Sequence, residues 1–90
     1  MTKADIVKEI ARQTGIEKAV VLEVVEAMME RIRTSMINGE EVFLRGFGSF
    51  IIKRRAEKVA RNISKNTTIV VPAHNIPAFK PAKSFQEQIK

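Results

Sequence analysis

No cysteine, tryptophan or tyrosine occurs in these 90 residues, and histidine occurs once. The missing thiols exclude disulfides and thiolate metal sites. A lone histidine, His74, cannot form a metal-ligand pair, and its "PAHNIP" surroundings hold no nucleophile with a base and an orienting group. No catalytic constellation, metal, cofactor or small-molecule substrate is therefore expected. Only five phenylalanines are available as aromatic filling. A single domain of this size buries only about 60% of the surface its unfolded chain exposes. With no disulfide to help, a second subunit is the expected remedy.

Long apolar runs are also missing. The opening "MTKADIVKEIARQ" is charged throughout and does not read as a secretory signal, and no stretch approaches the length of a membrane span. The chain reads as intracellular, with no membrane partner.

What is present is positive charge, unevenly placed. The net charge is +6. Residues 1–41 hold six Lys/Arg against eight Asp/Glu, whereas residues 42–90 hold ten against two. A positive field confined to one half suggests a polyanionic partner, nucleic acid or an anionic membrane surface, with charge kept for solubility as the alternative.

The patterning predicts an α+β fold in one domain. Thr2 and Asp5 fit a capping box, Ile6, Val7, Ile10 and Ala11 share a helical face, and Gly15 supplies a stop, so residues 3–14 should be helical. From Lys18 to Ile37, Val21, Val25, Met28, Ile32 and Met36 recur at three- and four-residue steps, widened by Val20, Leu22, Val24 and Met29. Asn38 and Gly39 end this second helix. Its stripe is too wide for one short helix to cover, so the sheet or a partner subunit must take the rest. The Met28–Met29 pair reads as core filling.

Val42 to Leu44 and Ser49 to Ile52 read as strands joined across Gly46 and Gly48. The G-x-G they form lacks the third glycine and following helix of a dinucleotide site. "TTIVVPA" resumes strand character until Pro72, and "HNIPAFKPA" reads as a proline-punctuated connection. Residues 83–90 should close the chain as a short helix.

Between the strands lies "RRAEKVARNISKN", with five basic side chains and one acid. Both alternate sets of residues 53–66 are mostly polar, so neither can face a core. Strand character on either side suggests a long hairpin that leaves the body and returns. From Ile52 to Asn62, at about 3.3 Å per residue, it would span roughly 35 Å, comparable with one turn of duplex DNA. Lys53, Arg54, Arg55, Lys58, Arg61 and Lys65 on such a ribbon suit successive phosphates, although the same charges could simply protect a solvated edge. Ile63 is out of place at a hairpin tip. It fits either a wedge driven between base pairs from the minor groove or an isolated apolar contact within the arm. Asn62 beside it carries donors and acceptors suited to that groove. A dimeric module binding an acidic protein or RNA is the competing reading.

Through "GFGSF" (46–50), "RN" (61–62), "PA" (72–73) and "PAFKPAK" (77–83), the chain resembles the bacterial HU and integration host factor family of DNA-bending proteins along essentially its whole length. The resemblance implies an intertwined dimer whose arms enter the minor groove of duplex DNA above a cationic saddle. Such a protein would compact the bacterial nucleoid in the cytoplasm. The dimer would be a homodimer, or a heterodimer with a paralogue. The chain then divides into a helical dimerisation part (1–40), sheet and saddle (41–52 and 67–82), a DNA-binding arm (53–66) and a C-terminal helix (83–90). Arg55, Lys58 and Arg61 match basic arm positions. Lys80, Lys83 and, more weakly, Lys3 match phosphate-contacting positions of the body. Phe47, Phe50 and Phe79 match the apolar dimer core, to which the stripe residues Val25, Met28, Met29 and Ile32 are added. At the tip, Ile63 stands where the family usually has proline. It lacks proline's fixed φ and keeps an N–H, so its kink should be smaller or differently shaped. Asn66 replaces a usual turn glycine and Ala60 another common glycine.

Overall fold

Thr2 starts the first helix by a reciprocal pair of bonds. The Asp5 N–H donates to Thr2 Oγ1 (3.3 Å) and the Thr2 N–H donates to Asp5 Oδ2 (2.9 Å). The Thr2 N–H bond and, after it, the bond that Thr2 Oγ1 donates to Asp5 Oδ2 (3.0 Å) hold the Asp5 carboxyl below its ordinary pKa. Helix α1 spans Lys3–Thr14 and ends on Gly15, whose φ of 76° is left-handed and whose N–H reaches the Ala11 carbonyl. Helix α2 follows at Lys18–Ile37. The computed structural model describes residues 1–62 and 67–89, the side chains of residues 60–62 and 67 excepted.

Strand β1 (Val42–Leu44) turns through Gly46, with φ 80°, into β2 (Gly48–Arg55). The Phe47 N–H closes the turn on the Leu44 carbonyl (3.0 Å). Gly46 is the conformational requirement that the G-x-G pattern suggested. Gly48 answers a different need: a Cβ there would lie 2.5 Å from Phe79 Cζ, so its hydrogen makes room for an aromatic ring.

The segment "HNIPAFKPA" corrects the expected connection. His74–Pro81 form a strand, β5, antiparallel to β2 in a sheet of order β1-β2-β5. Pro77 is tolerated because β5 lies at the sheet's edge, where one side of the strand has no ladder to interrupt. A second correction concerns the division at residue 67. Strand β4 (Thr67–Val71) pairs with β3 (Lys58–Asn62) in a separate two-stranded ladder, so these residues belong with the arm and not with the body sheet. Between the ladders, Ala56 and Glu57 face Pro72 and Ala73, and neither pair belongs to a strand. Pro72 has no N–H to donate, so the ladder stops there. Helix α3 spans Lys83–Gln88, anchored where the Ala82 N–H meets the Phe47 carbonyl (2.9 Å).

The body is held by an aromatic cluster. Phe79 lies 5.2 Å from Phe47 and 5.1 Å from Phe50 between ring centroids, and Phe47 stacks on Phe85 at 5.5 Å. Among the described residues only Val7 and Val21 are buried hydrophobics, and of these only Val7 is fully enclosed. Val25 and Ile32 are half-buried, whereas Met28, Met29, Phe47 and Phe79 are exposed in the single chain. The radius of gyration is 18.8 Å, against about 12 Å for a compact domain of this length. Much of the chain projects from its own centre.

Candidate nucleic-acid interface

Residues directly opposite in an antiparallel pair share a face. The register Ser49↔Lys80, Ile51↔Ala78, Lys53↔Ile76 and Arg55↔His74 therefore gathers Lys53, Arg55 and Lys80 on one face of the sheet. Phe43 joins that row through its pairing with Ser49. The opposite face carries the Phe50↔Phe79, Ile52↔Pro77 and Arg54↔Asn75 pairs. Arg54 and Arg55, adjacent in sequence, thus leave the sheet on opposite sides and could address opposite walls of a groove.

Lys58 begins the outer ladder opposite Val71 and is exposed. The backbones of Arg61 and Asn62 continue it opposite Thr68 and Thr67. Ile63 and Lys65 lie outside the described residues. At the other end of the sheet, Lys80 and Lys83 line a shallow depression of about 380 Å³ with Phe43, Ser49 and Arg45. Arg45 was absent from the candidates read from sequence. Its signal was available in "RGFGSF", where a cation directly precedes the turn glycine, but only the β1–β2 turn geometry brings it beside Lys80.

Lys3 sits apart from this group. Its Nζ bonds Glu26 Oε1 at 3.0 Å, sharing its charge with an acid of α2. The other ion pairs among the described residues, Arg12–Glu9 and Arg33–Glu30, are also helical. The cations of β2, β5 and Lys58 enter none of them. An exposed cation without an acid partner has only counterions to release when a polyanion arrives, which is the arrangement that phosphate binding uses.

His74 has its Nδ1 3.0 Å from the Pro72 carbonyl oxygen and serves the connection between the ladders. Among the described residues no three His, Asp or Glu side chains are grouped to hold a metal. No described helix is long and apolar enough to cross a membrane.

The comparisons agree with this geometry. The family described as bacterial DNA-binding protein matches residues 1–90. The DNA-binding protein HU of Staphylococcus aureus is 36% identical over 90 residues, covering all of both chains. That of Thermus thermophilus is 34% identical over 90 residues, covering all of this chain and 93% of its own. Among solved structures, the cocrystal structure of Anabaena HU with DNA superposes with a TM-score of 0.92 at 32% identity, covering 99% of this chain and 97% of that one. With the match running from end to end, and the two helices, the three-stranded sheet and the projecting ladder all in place, the chain belongs to the bacterial DNA-binding protein family.

Proposed function

We propose that the chain is a homodimeric architectural protein that binds duplex DNA largely without regard to sequence, bends it and compacts the nucleoid in the bacterial cytoplasm. The observation that carries this reading is the row of exposed strand cations, Lys53, Arg55 and Lys80, on one face of the body sheet, with Lys58 exposed where the outer ladder begins. The sheet presents them at fixed spacing, and a separate two-stranded ribbon carries further basic residues beyond it. Arg61, Asn62, Ile63 and Lys65 would carry the contact to the arm's tip, where the minor groove offers a degenerate pattern and little sequence to read. Selectivity would then follow the ease of deforming the DNA, favouring nicked or prebent duplexes. The work done is mechanical, and no reaction is involved.

The test is a short duplex labelled at both ends, titrated at several salt concentrations with wild type and with Ile63→Ala. Wild type should bind tightly at low salt and draw the ends together. The variant should bind with an affinity within about tenfold but transfer less energy between the ends, because a wedge contributes to the kink more than to the phosphate contacts. Heparin or RNA competing as well as duplex DNA would reduce the protein to a general polyanion binder.

The homodimer is supported by surface chemistry. An open apolar groove of about 570 Å³ runs between α2 and the sheet, lined by Met29, Ile32, Met36, Phe50, Ile52 and Pro77 among others. With Val24 61% and Met28 50% exposed on the same helix, the single chain leaves uncovered more apolar surface than a monomer usually does. A second copy would cover it, with Phe47, Phe50, Phe79, Val25, Met28, Met29 and Ile32 forming the shared core. Unfolding coupled to dissociation depends on concentration. The melting temperature should therefore fall by several degrees over a hundredfold dilution, whereas a folded monomer would melt at a constant temperature.

A further inference from the structure

Four of the five phenylalanines form the cluster described above, and Phe43 is excluded from it. The central residue of β1 turns outward, its neighbours Val42 and Leu44 half-buried and its own side chain 71% exposed. An outward strand position flanked by charge is ordinarily polar, and an isolated exposed apolar residue would call for no comment. Phe43 is not isolated. The register places it in one cross-strand row with Ser49 and Lys80, and it lines the same depression as Arg45 and Lys83.

The surroundings narrow what could cover the ring. The apolar groove assigned to the second copy opens on the opposite face, the one carrying Phe50, Ile52 and Pro77. Dimerisation therefore does not account for Phe43. Three cations around a flat apolar surface favour an occupant that is anionic at its edge and flat and apolar at its centre. Nucleic acid meets both conditions, but an intact duplex hides the faces of its bases in the stack. A base presents its face where stacking is interrupted, at a gap or an unpaired nucleotide, and aromatic side chains beside a cationic track are the usual platform for such bases.

Resting on the DNA-binding reading, we infer that Phe43 is a stacking residue: it takes up an unstacked base at a gap while Arg45, Lys80 and Lys83 hold the flanking phosphates. The body of the protein, separately from the arm tip, thereby discriminates interrupted from intact DNA.

The absence of tryptophan and tyrosine makes a direct test available. Affinities of wild type, Phe43→Ala, Phe43→Leu and Phe43→Trp are measured for a duplex with a two-nucleotide gap and for the same duplex intact. Phe43→Ala and Phe43→Leu should bind the gapped DNA about thirtyfold more weakly, the middle of the range for losing one base–aromatic stack, with binding to intact duplex changed less than twofold. Phe43→Trp should retain gapped binding, and its single indole should be quenched by gapped but not by intact DNA. Equal loss on both DNAs, equal quenching by both, or wild-type gapped affinity in Phe43→Ala would overturn the inference. Sedimentation of Phe43→Ala as a smaller species than wild type would assign the ring to an interface and overturn it as well. Failure of wild type to bind intact duplex would instead strike the architectural reading, so the two failures are separable.

Discussion

Replacing Arg54, Arg55 and Lys58 together by alanine should weaken duplex binding by at least a hundredfold at 0.1 M salt and flatten its salt dependence. Each phosphate neutralised contributes about 0.9 to the slope of log affinity against log salt. Three cations on each of two protomers would thus remove about five from that slope. All three side chains are exposed, and none enters an ion pair among the described residues. Their loss should leave the fold untouched, since surface changes of this kind usually fall within about 0.5 kcal/mol. Titrations at four salt concentrations, with a thermal melt as the control, separate the cases. A variant that melts like wild type but keeps its slope would show that these cations face water and not phosphate.

The second large effect concerns Gly48→Ala, one methyl group added far from the arm. That methyl would sit 2.5 Å from Phe79 Cζ and 2.8 Å from the Lys80 carbonyl oxygen. The ring is held between Phe47 and Phe50, and the carbonyl belongs to the strand paired with Gly48, so neither can withdraw freely. Overpacking of this kind costs about 1–3 kcal/mol. At about 4–8 °C per kcal/mol in a domain this small, the melting temperature should drop by roughly 5–20 °C at fixed protein concentration. Adding Phe79→Leu should recover part of the loss, because a smaller side chain gives the methyl room, and a double-mutant cycle would expose the coupling. A melt of Gly48→Ala within two degrees of wild type would mean that the strand pair relaxes at little cost.

Local chemistry made the helices legible in the sequence. Thr2 with Asp5, Gly15 and the apolar steps of α2 act within one or two turns, so the residues that decide each boundary lie beside it. The Gly46 turn is legible for the same reason. Strand β5 is not, because Pro72, Pro77 and Pro81 suggest a loop unless one knows that the strand lies at an edge, and edge position is a property of the whole sheet. The break between the two ladders is hidden similarly, since β2, β3 and the residues between them form one basic, extended-looking run. Of the candidate site, the cations could be named from composition alone. Their sorting onto two faces, with Arg55 and Lys80 together and Arg54 behind them, depends on a register fixed only when β2 meets β5. Arg45 and Phe43 were passed over because neither looks unusual until the turn and the pairing with Ser49 bring both to Lys80.

The paired interruption at Ala56–Glu57 and Pro72–Ala73 has a consequence for the shapes of DNA one protein can serve. A hydrogen-bonded ladder resists bending at every rung, so the sheet of the body and the ribbon of the arm each behave as a stiff plate. Two residues without rungs on each strand, directly opposed, form a joint between the plates, and the missing N–H of Pro72 keeps it from knitting closed. The cations before the joint, on β2 and β5, belong to one sheet, whereas Lys58 beyond it belongs to the other ladder. In the proposed dimer, such a joint would let the arms follow duplexes of different curvature without repacking the core, much as a calliper fits several diameters with the same two jaws.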